Sequence, residues 1–170
     1  TIKRRLQNGK IASVKEGKFA GTRVPYGYEK YKLPNEKGFS LRQIPDQAQV
    51  VQLIYQMYIY GIPENHNRPL GASAIARTLN DMQIPTQTNG RWSQGVVRTI
   101  LTNSVYIGKI HWGRRKVVKI IKNGQIHKSY PIQQDYILAD GRHEPIVDLD
   151  TWTEVQTIFQ KRSKKPPFLD

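Results

Sequence analysis

Between Gly71 and Leu101 two apolar stripes are separated by a turn, and this stretch constrains the fold more than any other. Ala72, Ile75, Ala76 and Leu79 recur at helical spacing and line one face of a short helix. Ile84-Pro85-Thr86 stops that helix, because a proline ring pushes the residue before it out of the α region. Thr88-Asn89-Gly90 is a turn cluster. Ser93 stands where an N-cap belongs, ahead of a second stripe of Val96, Val97, Ile100 and Leu101. Gln94, Arg98 and Thr99 then fall on the outward face of the second helix, with Arg91 and Ser93 just ahead of it. Such side chains reach base edges and phosphates, so the pair has the form of a helix-turn-helix with a reading helix. The same spacing also suits two ordinary helices packed in a core.

Charge favours the first of these. Lys and Arg total 27 against 13 Asp and Glu, a net charge of +14 over 170 residues. An excess of that size serves a partner of opposite sign rather than the fold. Nucleic acid is the first candidate and an anionic membrane surface the second. An anionic membrane is disfavoured: no apolar run approaches the roughly 20 residues of a spanning helix, and the cations are not gathered on one amphipathic helix. The length allows one large domain or two small ones. The absence of cysteine excludes disulfides and thiolate metal sites and fits a reducing cytoplasm. Thr1-Ile2-Lys3-Arg4-Arg5 has neither an initiator methionine nor a signal-peptide core, and reads as an internal stretch of a longer protein.

Residues 1–24 are basic and poorly patterned; part of them suits the tail of a long helix, and Gly17, Gly21 and Pro25 then break the chain into an extended segment. Lys18 and Arg23 flank small residues there, as an arm tracking phosphates or a minor groove requires; a disordered terminus is the alternative. Tyr26, Tyr28 and Lys30 alternate as a strand, Phe39, Leu41 and Gln43 as its return, across the loop Pro34–Gly38. The two tyrosines suit base stacking or, more simply, packing of a small sheet on helices. Asp46 with Gln49 has capping-box spacing before a broad stripe, Val50, Leu53, Ile54, Met57 and Tyr58, which reads as core scaffold. Gly61–Leu70 is a polar loop in which His66 stands alone.

After Leu101 the character changes. Lys109, Arg114, Arg115, Lys116, Lys119, Lys122 and Lys128 meet no acidic residue between 109 and 128. Val117–Ile121 is β-branched, Asn123-Gly124 is a two-residue hairpin signal, and Ile126–Tyr130 returns. This basic ribbon is expected on DNA, though lysines on a ribbon also serve to block edge pairing. Thr151 and Glu154 have capping-box spacing at the start of a last helix with Trp152, Val155 and Phe159 inward, and Lys161–Lys165 with Pro166-Pro167 ends it. No histidine pair has metal-ligand spacing, no phosphate loop is complete, no serine sits in a nucleophile elbow, and the carboxylates are scattered. No catalytic centre is expected in this chain.

Several segments, in order, resemble the large serine recombinases of the phage-integrase and transposase type. They are Phe19–Tyr28, Ile44-Pro45-Asp46 with the following helix, Ile75–Asn80 with Ile84-Pro85-Thr86, Gly90–Ser93 with Val97, Ile100–Asn103 and Tyr106–Gly108, and His143–Val147 with Trp152 and Val155-Gln156. The resemblance runs from about Lys10 to Arg162. It implies that Thr1–Ala12 ends a linker helix from an upstream catalytic domain carrying the serine nucleophile. It implies a recombinase DNA-binding domain over 25–106 after an arm over 1–24, and the first part of a zinc-ribbon-type domain over 107–170. It further implies zinc cysteines beyond Asp170 or none, a parent that dimerises on each site and forms a tetramer at synapsis, and a bacterial or phage-encoded cytoplasmic protein. Two departures concern turns: glycine is usual where Gln83 stands, and the loop before Leu70 is long.

The expected fold is α+β, a small helical unit with a helix-turn-helix-like pair and a hairpin, then a smaller hairpin-plus-helix unit. The expected function is recognition of a duplex attachment site through Lys18, Arg23, Arg91, Ser93, Gln94, Arg98, Thr99, Lys109, Arg114, Arg115 and Lys116, with no metal and no cofactor held by this chain. A winged-helix transcriptional regulator is the alternative, and an RNA-binding protein a further one.

Overall fold

The broadest apolar stripe becomes the scaffold helix α2, Pro45–Tyr60, in a computed structural model that describes residues 1–163. The basic end Lys164-Lys165 and the stop expected at Pro166-Pro167 lie outside the described residues. Val51, Ile54, Tyr55, Met57 and Tyr58 of α2 are buried. Its start differs from the capping box expected at Asp46. Ile44 takes the cap position in extended conformation, Pro45 is the first helical residue, and no side chain caps the end. Proline suits that place because its φ is already helical and it has no N–H to leave unpaired. Asp46 falls in the first turn, where a carboxylate favours the positive end of the helix dipole.

Against α2 pack α3, Ala72–Asp81, and α4, Gln94–Thr102, the two helices expected from the central stretch. The hairpin β1, Tyr28–Lys32, with β2, Phe39–Gln43, is antiparallel and pairs Tyr28 with Gln43 and Lys30 with Leu41, so the expected faces meet. Tyr26 and Tyr28 are both buried, and the simpler reading of these residues as packing side chains holds. Tyr28 Oη donates to Glu144 O at 2.8 Å, and Tyr106 Oη donates to Tyr26 O at 2.7 Å.

The first helix, α1, runs Ile2–Lys15, where the resemblance implies the end of a linker helix over Thr1–Ala12, and the extended segment begins only after it. Only Val14 of α1 is buried, so there was no stripe to read. Its C-terminal end is held by close backbone approach. Gly17 has φ +77°, and a Cβ there would lie 2.5 Å from Asp140 O, a contact only glycine tolerates. The charged side chains beside it complete the joint: Lys18 pairs with Glu16 at 2.6 Å and with Glu36 at 3.6 Å, and Arg142 pairs with Glu36.

A strand pair that no local pattern announced follows α4. β3, Lys109–Trp112, is antiparallel to the later strand Ile137–Asp140. Nested between them lies the expected ribbon, β4, Val118–Lys122, and β5, Gln125–Ser129; Ile137–Asp140 is accordingly β6. Asn123 and Gly124 both have positive φ, +53° and +72°, the geometry of a type I′ hairpin turn. Every residue of β4 and β5 is exposed.

The last helix, α5, begins at Leu149 rather than after a cap at Thr151. Asp148 does the capping: its carboxylate accepts from Thr151 N at 2.7 Å and Thr151 Oγ1 at 3.0 Å. Those bonds hold the Asp148 carboxyl below its usual pKa. One apolar cluster collects Val14, Tyr28, Ile54, Leu79, Leu101, Ile110, Val147 and Val155, so residues from α1 to α5 share it. Helices with separate two-stranded antiparallel pairs make this an α+β fold, as the sequence led one to expect. No helix among the described residues is long and apolar enough to cross a membrane.

Candidate nucleic-acid interface

The turn between α3 and α4 is fixed by a reciprocal pair. Asn80 Oδ1 accepts from Trp92 N at 2.8 Å, and Asn80 Nδ2 donates to Trp92 O at 3.0 Å. Trp92 Nε1 donates to Ile84 O at 2.8 Å, which ties the buried indole to the proline stop. Ser93 caps α4 as expected, its Oγ accepting from Val96 N at 3.4 Å. At the other end two orphan carbonyls find side-chain partners: Tyr55 Oη donates to Ile100 O at 2.8 Å and Gln156 Nε2 to Leu101 O at 2.7 Å. Side chains from α2 and α5 therefore set the axis of α4.

Val97, Ile100 and Leu101 are buried, but Val96, expected beside them, is 40% exposed. At 3.6 residues per turn Val96 and Arg98 lie about 200° apart, on opposite flanks of the buried stripe. The structure gives those flanks different surroundings. On one side Val96, Gly95 and Thr99 line an open concavity of about 990 Å³ with Arg23, Pro25 and Arg91. On the other, Gln94 and Arg98 face α5, and the Arg98 guanidinium lies 5.7 Å from the Phe159 ring centroid.

The first concavity continues into a second, of about 890 Å³, across the shared residues Thr99 and Asn103. Arg114, Arg115 and Lys116 at the root of the ribbon line it, opposite Lys3 and Gln7 of α1. No carboxylate lines either concavity among the described residues. The result is one basic groove over the exposed face of α4, with arginines at both ends.

Of the residues expected at an interface, Arg23, Arg91, Ser93, Thr99, Arg114, Arg115 and Lys116 line this groove. Gln94 and Arg98 are exposed but on the α5 flank. Lys18 is buried between Glu16 and Glu36; its hydrogen bond to Glu16 raises its pKa and lowers that of Glu16. Lys109 pairs with Asp140, its cross-strand neighbour. Lys3 and Gln7 escaped sequence reasoning because α1 carries no apolar period, and Val96 because it extended the stripe of its neighbours.

His111 lines the second concavity, whereas His143 lies in the interior against Tyr28. Burial lowers the pKa of His111, and the charge of Arg114 adds to the shift. His143 is buried with Nε2 2.7 Å from Val105 O, while Nδ1 has no partner among the described residues. Burial lowers its pKa as well, against the pull of the Val105 carbonyl.

Comparison with known proteins gives a family match, a curated relative and two solved structures. A family profile described as Recombinase matches residues 45–162, more than half of the chain. A "Putative DNA recombinase" of Bacillus subtilis (strain 168) is 29% identical over 111 residues, which is 64% of this chain and 20% of that protein. The chain thus spans about a fifth of this curated relative's length. A solved structure described as "Crystal Structure of a LSR-DNA Complex" shares the fold with a TM-score of 0.61 at 20% identity, over 96% of this chain and 44% of that one. Another, described as "Sequence Requirements of the Listeria innocua prophage attP site", has a TM-score of 0.59 at 20% identity, over 95% of this chain and 54% of that one.

Proposed function

The chain belongs to the Recombinase family, and on that premise we propose that it binds the duplex attachment site of a large serine recombinase. The observation that carries this reading is the continuous groove, free of carboxylates among the described residues, that runs from Arg23 and Arg91 over α4 to Arg114 and Lys116. Phosphates of a duplex supply the missing negative charge, and α4 is exposed along the groove to meet base edges. The similar structures, described by their LSR–DNA and attP subjects, support the same partner.

In this reading Arg23, Arg91, Arg114, Arg115 and Lys116 contact phosphates, and Lys3 joins them from α1. Lys18 and Lys109 act within the fold, because each already has a carboxylate partner. Residues 25–106 carry the reading helix, 107–170 supply the ribbon wall as the start of a zinc-ribbon-type unit, and 1–24 lead in from the parent's catalytic domain. Strand cleavage and rejoining through a phosphoserine linkage belong to that domain. The parent acts in the cytoplasm as a dimer on each site and a tetramer at synapsis.

The test is binding to duplex DNA across a salt series, after selection of a site from a randomised pool. Affinity falls steeply with salt, with a logarithmic slope of about −0.9 per phosphate neutralised, and the pool converges on one sequence. The purified chain forms no covalent adduct with DNA. A flat salt response, preference for single-stranded RNA, or an adduct on a denaturing gel would each defeat the proposal.

A further inference from the structure

Three residues on the groove side of α4 have features that the fold itself does not use. Gly95 is helical, with no positive φ to explain it, and a Cβ there would meet nothing nearer than Ser93 Oγ at 3.9 Å. Glycine weakens a helix relative to alanine, so neither backbone geometry nor internal packing accounts for its presence. Val96 leaves 40% of its surface in solvent although the core stripe begins one residue later. Thr99 donates its hydroxyl proton to Gly95 O at 2.9 Å, which leaves its methyl as the apolar part of an exposed side chain.

Together they form a low, apolar strip on the wall of a groove whose outer positions are cations: Arg23 and Arg91 on one side, Arg114 on the other. We propose that this strip reads thymine 5-methyl groups in the major groove, with Val96 as the specificity-determining residue. The missing side chain at Gly95 lets the base edges come close to the helix backbone. The Val96 side chain and the Thr99 methyl then meet the one apolar group that a base pair presents in that groove. The charged flanks bind phosphates on either side and carry no sequence information. The inference rests on the proposed binding of duplex DNA and adds what the helix recognises there.

The experiment starts from the duplex that the full chain selects from a randomised pool. Each thymine is replaced in turn by 2′-deoxyuridine, which removes the methyl and leaves every hydrogen-bonding group in place. Binding weakens at one or two adjacent thymines by about fourfold per methyl, the usual worth of burying one such group. Val96→Ala, at a surface position, abolishes the uracil sensitivity at those positions and leaves the salt slope unchanged. Gly95→Ala does not lower the melting temperature, yet it weakens binding to the selected duplex. A flat uracil scan on a duplex that binds would overturn the methyl reading alone. An unchanged uracil profile in Val96→Ala would remove Val96 from the role. Failure to bind any duplex would overturn the methyl reading together with the function it rests on.

Discussion

Gln83 follows the last turn of α3 with φ +56°, the left-handed conformation that commonly ends a helix. A side chain there is strained by roughly 1–2 kcal/mol, and the sequence resemblance places glycine at this position in relatives. Gln83→Gly is expected to stabilise the fold by about 1 kcal/mol, part of the strain relief being offset by the freer unfolded chain; urea denaturation measures it. His143 makes a second prediction. In the fold its Nε2–H donates to Val105 O, and protonation would add a buried N–H at Nδ1 with no acceptor among the described residues. Its pKa is lowered by burial, so the unfolded chain takes up the proton first as pH falls. Stability is complete above an ordinary histidine pKa of about 6.5 and declines below it. Melting temperatures from pH 8 to 5 should show that decline, and His143→Gln should flatten it; what slope remains belongs to His111, shifted in the same direction.

At the scale of elements, the two flanks of α4 separate two kinds of contribution. Arg98 lies toward α5 over Phe159, so Arg98→Ala should weaken binding to all duplexes alike and leave the selected sequence unchanged. Loss of preference at one base pair would show that Arg98 reads a base after all. The ribbon permits a cleaner excision. Lys116 N donates to Pro131 O at 3.2 Å, so the two strands are adjacent at its root. Joining Lys116 to Pro131 through Asn-Gly removes β4 and β5, whose residues are all exposed. Melting temperature should change little, whereas the salt slope of DNA binding should become shallower by about 0.9 for each ribbon lysine that had reached a phosphate. Lysines that only guard a free edge would leave the slope intact and would show as aggregation instead.

For the whole molecule, one apolar cluster joins α1, the β1–β2 hairpin, the α3–α4 pair, β3 and α5. Trp92 is buried in it, and Trp112 and Trp152 pack against it. Thermal unfolding followed by tryptophan fluorescence and by far-ultraviolet circular dichroism should therefore coincide in one transition. Two separated transitions would mean that this cluster does not make one cooperative unit. The charge distribution also belongs to this scale. Of the cations in the first 24 residues, Lys18 is consumed by Glu16 and Glu36, while Lys3 and Arg23 reach the groove.

Local periodicity determined α2, α3, α4 and the ribbon, because each buries a regular stripe or turns at residues with a special backbone conformation. Ser93 as a cap and Asn123-Gly124 as a turn were legible for the same reason: each acts on groups within three residues of itself. Whatever depends on residues distant in sequence was not legible. The β3–β6 pairing joins segments about 25 residues apart, and the packing of α1 through a single buried side chain leaves no local pattern. Which flank of α4 faces the groove was decided by α5 and by the segment at Arg23, because the helical period specifies only the buried side. A count of lysines likewise could not tell Lys18 and Lys109 from cations free for a partner. That distinction rests on Glu16, Glu36 and Asp140, and the tertiary fold alone brought Glu36 and Asp140 to them.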